Sequence, residues 1–143
     1  MNEAPSREEA IELARTFLVT MDVHKDFLSL MTDDVELTFP KLGTVKGKMN
    51  LGSFFQALGS YVAAISHRPE TFKFLVGESN GNMRVCIEGL SKGRLQNGKT
   101  WDAGRFSVIY EFRGRLVSHI GIYIDPDYVD ATNAYYPWNT SEA

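Results

Sequence analysis

A chain of 143 residues, 43% apolar and 23% charged, has the size and balance of one soluble globular domain, read here as a single domain over residues 1–143. The net charge of −3, with basic residues scattered rather than striped, argues against a nucleic-acid surface. No apolar run reaches the roughly 18 residues that cross a bilayer, and one cysteine, Cys86, excludes an internal disulfide framework and fits a reducing, cytoplasmic setting. The polar, acidic start from Met1 to Glu9 does not resemble a secretory leader.

The first predicted element is a helix. Ser6-Arg7-Glu8-Glu9 forms a capping box, and Ile11, Ala14, Phe17, Leu18 and Met21 follow at helical spacing. Asp22 is expected to cap a second, short helix from His24 to Met31, which Thr32-Asp33-Asp34 breaks. Val35 to Phe39 reads as a strand ended by Pro40, and Lys41 to Lys48 as a short hairpin arm. Asn50 is placed at the cap of a third helix, Leu51 to about Ala64, weakened by Gly52 and Gly59.

From Arg68 onward the period changes to two. Thr71 to Glu78, Met83 to Leu95, Thr100 to Phe112 and Arg115 to Asp125 are predicted strands. Ser79-Asn80-Gly81-Asn82, Gln96-Asn97-Gly98-Lys99 and Arg113-Gly114 are the turns between them. Four strands joined by short turns make an antiparallel meander, and helices followed by strands make an α+β domain. The tail, 127–143, carries Tyr128, Tyr135, Tyr136 and Trp138, aromatics that imply docking on the domain, on a second copy or over a ligand.

This order resembles the NTF2-like superfamily, and within it the SnoaL-like branch. The resemblance rests on Phe27 to Glu36, Gly47 before a helix, Trp101-Asp102, and Ile122-Tyr123-Ile124-Asp125-Pro126-Asp127-Tyr128, within residues 7 to 130. It implies a cystatin-like cone, a curved antiparallel sheet wrapped around N-terminal helices, with a small apolar molecule inside. It also implies a homodimer paired through the outer sheet face. Family members include polyketide cyclases, ketosteroid isomerases, fungal terpenoid isomerases, epoxide hydrolases, dehydratases and non-catalytic binding domains.

The resemblance places the carboxylate at the end of the last strand, Asp125, inside the cone. Alternation then sets Tyr123, Gly121, His119 and Val117 on the inner face. Carried through the turns, it adds Arg105, Ser107, Ile109 and Glu111, then Cys86, Glu88 and Leu90. Phe106, Val108, Tyr110 and Phe112 would form the outer, dimer-forming face. Hydrophobicity alone argues the reverse, because Ile120, Ile122 and Ile124 are the more apolar set.

On this reading Asp125 moves a proton, with Glu88 or His119 as its partner and Arg105 orienting a carboxylate or substrate group. Tyr123, Ser107, Trp101, Leu90, Ile109, Phe17 and Tyr61 complete a substrate-binding surface. His24 and His67 are read as solvated residues near helix ends. Leu90 stands where the epoxide-hydrolase branch carries an aspartate, and Leu37-Thr38-Phe39 lacks the carboxylate of the ketosteroid-isomerase branch. With no His-x-x-x-His, Cys-x-x-Cys, phosphate loop or nucleophile elbow, no cofactor or metal is expected. The expectation is a cofactor-independent isomerase or cyclase acting on a polyketide, terpenoid or steroid-like compound. The alternatives are a ligand-binding or dimerisation domain, or a hydrolase or dehydratase on the same fold.

Overall fold

Ser6 starts the first element as its spacing predicts. In the computed structural model, which describes residues 3–23, 26–40 and 42–124, α1 runs from Arg7 to Asp22. The Glu9 amide donates to Ser6 Oγ at 3.2 Å, and the Ser6 amide donates to Glu9 Oε1 at 3.3 Å. One stripe of this helix, Ala10, Ala14, Phe17 and Leu18, is buried.

The predicted second helix shrinks to a single 3-10 turn, Leu28–Leu30, because Met31 to Asp34 already belong to a strand. That strand, β1 (Met31–Phe39), pairs antiparallel with β2 (Gly43–Lys46), the predicted hairpin arm, and parallel with the last strand, β7 (Leu116–Ile124). Next, α2 spans Lys48–Leu58, entered through Gly47 at φ 87°, a left-handed conformation that suits glycine. It ends six residues before the predicted boundary, since Val62 to His67 form a strand, β3. The domain therefore has two α-helices among the described residues, not three.

The meander follows as predicted: β4 (Lys73–Ser79), β5 (Asn82–Leu95), β6 (Thr100–Arg113) and β7. Sheet order is β2-β1-β7-β6-β5-β3, with β4 also on β5. β5 is twice as long as β4, 14 residues against 7, so one edge of β5 takes two partners. β4 covers its first half, ending at Lys73 opposite Glu88, and β3 covers Ser91 to Leu95. Backbone groups on the second half would otherwise go unpaired. This is the tertiary demand that ends α2 early.

The sheet curls around α1 and α2, and its concave face makes the core. Val85, Ile87, Val108, Tyr110, Phe112 and Ile120 are at most 4% exposed. The inner face is thus the one assigned by hydrophobicity. Register confirms which residues travel together: Glu88, Ser107 and Tyr123 lie side by side, as do Cys86, Ile109 and Gly121. The grouping is as expected down to Glu111 and His119, but these residues face outward; beyond them a register shift sets Val117 opposite Phe112, buried in the core rather than beside His119.

Candidate active site

The cone encloses a cavity of about 240 Å³ between the C-terminus of α1, the end of α2, β3 and the concave sheet. Its walls are aromatic and branched: Phe27, Phe55 and Leu58 from the helical side, Phe106 and Val108 from β6, and Ile120, Ile122 and Ile124 from β7. Among the described residues, four polar side chains also line it: Asp22, His67, Ser91 and Tyr110. A few polar groups converging in an apolar hollow is the pattern of a small-molecule site.

Asp22 and His67 are joined. The His67 backbone amide donates to Asp22 Oδ2 at 2.8 Å, and its ring Nδ1 lies 2.8 Å from Oδ1. The two side chains are 12% and 14% exposed. A carboxylate accepts, so Nδ1 is the donor, and in the neutral ring Nε2 keeps its lone pair. Nε2 makes no hydrogen bond to a described residue.

The helix gains nothing from this carboxylate. Asp22 is the last residue of α1, whose final turn contains no basic side chain. A negative charge at a helix C-terminus opposes the macrodipole, typically by about 0.3–1 kcal/mol. Two bonds from His67 offset that cost, so the position serves the histidine rather than the helix.

Packing holds the ring. The imidazole meets Phe106 edge-on, ring centroids 4.6 Å apart, and Phe106 in turn meets Phe72 at 5.8 Å. Gly89 makes this stack possible: a Cβ there would stand 2.8 Å from Phe72 and 3.0 Å from Phe106. Arg68, next in the chain, donates its amide to Leu90 O at 2.9 Å, which anchors the end of β3 to β5.

Ser91 is already committed, donating to Gly104 O at 3.3 Å and accepting from Trp101 Nε1 at 3.2 Å. Tyr110 is 1% exposed, and its hydroxyl makes no hydrogen bond to a described residue. Burial, and then the negative charge of Asp22, push its phenol well above the ordinary tyrosine range. The hydroxyl is therefore held as a donor. Among the described residues, no three His, Cys, Asp or Glu side chains gather as a metal site requires.

The residues singled out from sequence fall elsewhere. Glu88, Leu90, Arg105, Ser107, Ile109, His119 and Tyr123 lie on the convex face, away from the cavity. Glu88 and Arg105 are exposed and make no ion pair with each other. Tyr123 is 61% exposed. Phe17 is in the core against Tyr110 at 5.1 Å, Tyr61 is 64% exposed, and Trp101 packs over Gly93 beside a shallow groove at the rim. Asp125, His24 and the aromatic tail lie outside the described residues. His67, read as solvated, is instead a nearly buried member of the cavity wall, and Asp22 binds it rather than capping a helix.

No protein-family model matches the sequence, and no curated protein does. Solved structures do. An NTF2-like protein of unknown function from Burkholderia pseudomallei superposes with a TM-score of 0.70 at 17% identity, over 82% of this chain and 91% of that one. A Xanthomonas campestris protein provisionally named a polyketide cyclase gives 0.68 at 18% identity, over 83% and 92%. A Bacillus subtilis protein provisionally named an isomerase gives 0.63 at 17% identity, over 83% and 88%. At this identity the likeness shows architecture: the chain has the NTF2-like α+β cone. No helix among the described residues is long and apolar enough to cross a membrane.

Proposed function

We propose that the protein is a cofactor-independent acid–base enzyme, isomerase- or cyclase-like, acting on an apolar small metabolite of polyketide or terpenoid type held in the cone. The observation that carries this reading is the Asp22–His67 couple, bonded at 2.8 Å and set into an otherwise apolar cavity. His67 Nε2 takes a proton from an acidic C–H or O–H of the substrate. Asp22, accepting from Nδ1, holds the ring and stabilises the imidazolium that forms. The Tyr110 hydroxyl donates to the oxygen on which negative charge develops. The imidazolium then returns the proton. Delivery to a different carbon isomerises the compound, and delivery to a departing hydroxyl expels water. The names of the Xanthomonas and Bacillus neighbours agree with proton-transfer chemistry on this fold.

The outer face supports a further element of the reading, pairing of two copies. Ile109, Cys86 and Gly121 form one row across the strands, flanked by Leu75 and Tyr123, which are 66% and 61% exposed. An apolar strip of this kind on a sheet is a contact surface.

The test uses a metabolite extract of the source organism in D₂O, incubated with wild type, His67→Gln or Asp125→Asn and followed by mass spectrometry. Wild type should convert a compound with deuterium gained at carbon. Conversion should fall by about 10²–10⁴-fold in His67→Gln. Asp125→Asn decides whether the strand-end carboxylate shares the work. Turnover at the wild-type rate in His67→Gln removes the dyad from the mechanism. Retention of a compound without conversion by any of the three leaves a binding domain.

A further inference from the structure

Polyketides and terpenoids span many sizes and charges, and the cavity itself narrows the choice. Size comes first. An apolar cavity of about 150 Å³ holds one benzene ring. This cavity, about 240 Å³, is roughly 1.6 times as large. Benzene's six carbons scale to about ten, the size of two fused rings. A four-ring compound would leave about half of its atoms outside.

Charge comes second. Among the described residues, no lysine or arginine lines the cavity. Asp22 supplies a negative charge, and protonation of His67 at most cancels it. An anionic ligand therefore finds no net positive partner among the described residues at any state of the couple, while losing its hydration. A cation competes with His67 at the carboxylate, since each Asp22 oxygen already accepts a bond from it at 2.8 Å, and it loses its hydration on entering an apolar cavity.

Polar matching comes third. Ser91 has spent its proton on Gly104 O. Among the described side chains that line the cavity, the Tyr110 hydroxyl is left as a donor and His67 Nε2, in the neutral ring, as an acceptor. The complementary ligand carries one acidic hydrogen and one carbonyl or hydroxyl oxygen on a flat apolar body. Phe27, Phe55 and Phe106 present rings to that body.

From size, charge and donor inventory together, we infer that the cavity takes an uncharged phenol or enolisable ketone of about two fused rings, and discriminates against carboxylates and four-ring compounds. This inference rests on the cavity being the site.

Four probes test it on the wild-type protein: 2-naphthol, 2-naphthoate, a naphthylmethylammonium salt and a four-ring phenolic steroid. Affinity comes from calorimetry, and location from the His67 imidazole resonances. The expected result is 2-naphthol binding at least about tenfold tighter than each of the others, with the His67 signals shifting. Equal or tighter binding of 2-naphthoate or the ammonium probe, with the same His67 shifts, overturns the charge rule while the site reading stands. Tightest binding of the steroid with those shifts overturns the size rule alone. If no probe moves the His67 resonances, the site reading falls and the inference falls with it.

Discussion

The two faces of the central sheet are built from the same strands and differ in almost everything else. On β6, Phe106, Val108, Tyr110 and Phe112 point into the cone and are at most 6% exposed. Their neighbours Arg105, Ser107, Ile109 and Glu111 point outward, with Arg105 exposed and the other three half-buried. The outer face holds more ionisable groups, yet in the open they meet water, and an exposed charge pair is worth little. The inner face has few polar groups, and each is therefore consequential. A carboxylate and an imidazole that would be unremarkable on the surface become a candidate proton relay inside an apolar cavity. Counting charged residues points to the outer face; asking where water is excluded points to the inner one.

The sharpest way to break this comparison is to put the same charge on each face. Val108 is 4% exposed, and Val108→Asp buries a carboxylate with no partner. The cost is several kcal/mol, on the order of the whole stability of a small domain. The variant should not fold, as circular dichroism will show. One residue on, Ile109→Asp should fold within about 1 kcal/mol of wild type. If copies pair through the outer face, sedimentation velocity will find that variant monomeric. A folded Val108→Asp protein would mean the faces are assigned backwards.

Tyr110 sharpens the comparison in a graded way. Its phenol is raised above the ordinary value by burial first and by Asp22 second. In the unfolded chain it ionises near pH 10, whereas in the folded protein it stays protonated. Its stabilising effect is therefore complete below about pH 10 and is lost as pH rises beyond that, with a slope approaching about 1.4 kcal/mol per pH unit. Tyr110→Phe should remove that slope, measured by urea unfolding between pH 8 and 11. An unchanged alkaline slope would show that the phenol is not sealed inside.

Much of the fold was legible because its signals are local. The Ser6 capping box, the Asn97-Gly98 turn, Gly114 and the period-two runs set the strands and most of the cross-strand groups correctly, the exception being Val117, which a register shift moves to the face of Phe112. The inversion arose from anchoring the alternation on Asp125 rather than on Ile120, Ile122 and Ile124, whose apolar side chains are the physical cause of burial. β3 was missed because Val62 and Ile65 also suit a helix; its strand state comes from a partner some 30 residues away, the second half of β5. One clue was present. A 13-residue strand beside an 8-residue one leaves backbone that some other segment must pair. With β3 misread, His67 had no place, and the bond to Asp22 across 45 positions could not be inferred.

The smallest expected effect is at the residues that looked most chemical. Glu88 is exposed, opposite Lys73 on one side and Ser107 on the other, and Arg105 lies opposite Leu90. Neither side chain reaches the cavity. Glu88→Gln and Arg105→Gln should each leave stability within about 0.5 kcal/mol, as surface substitutions do. Turnover of whatever compound the wild type converts should stay within about twofold, since the proton transfers proposed above do not pass through them. The paired assay with His67→Gln makes this decisive. A hundredfold loss in Glu88→Gln with a normal His67→Gln would put the chemistry on the convex face, where copies would have to meet to exclude water. The opposite pattern places it where the fold already keeps water out.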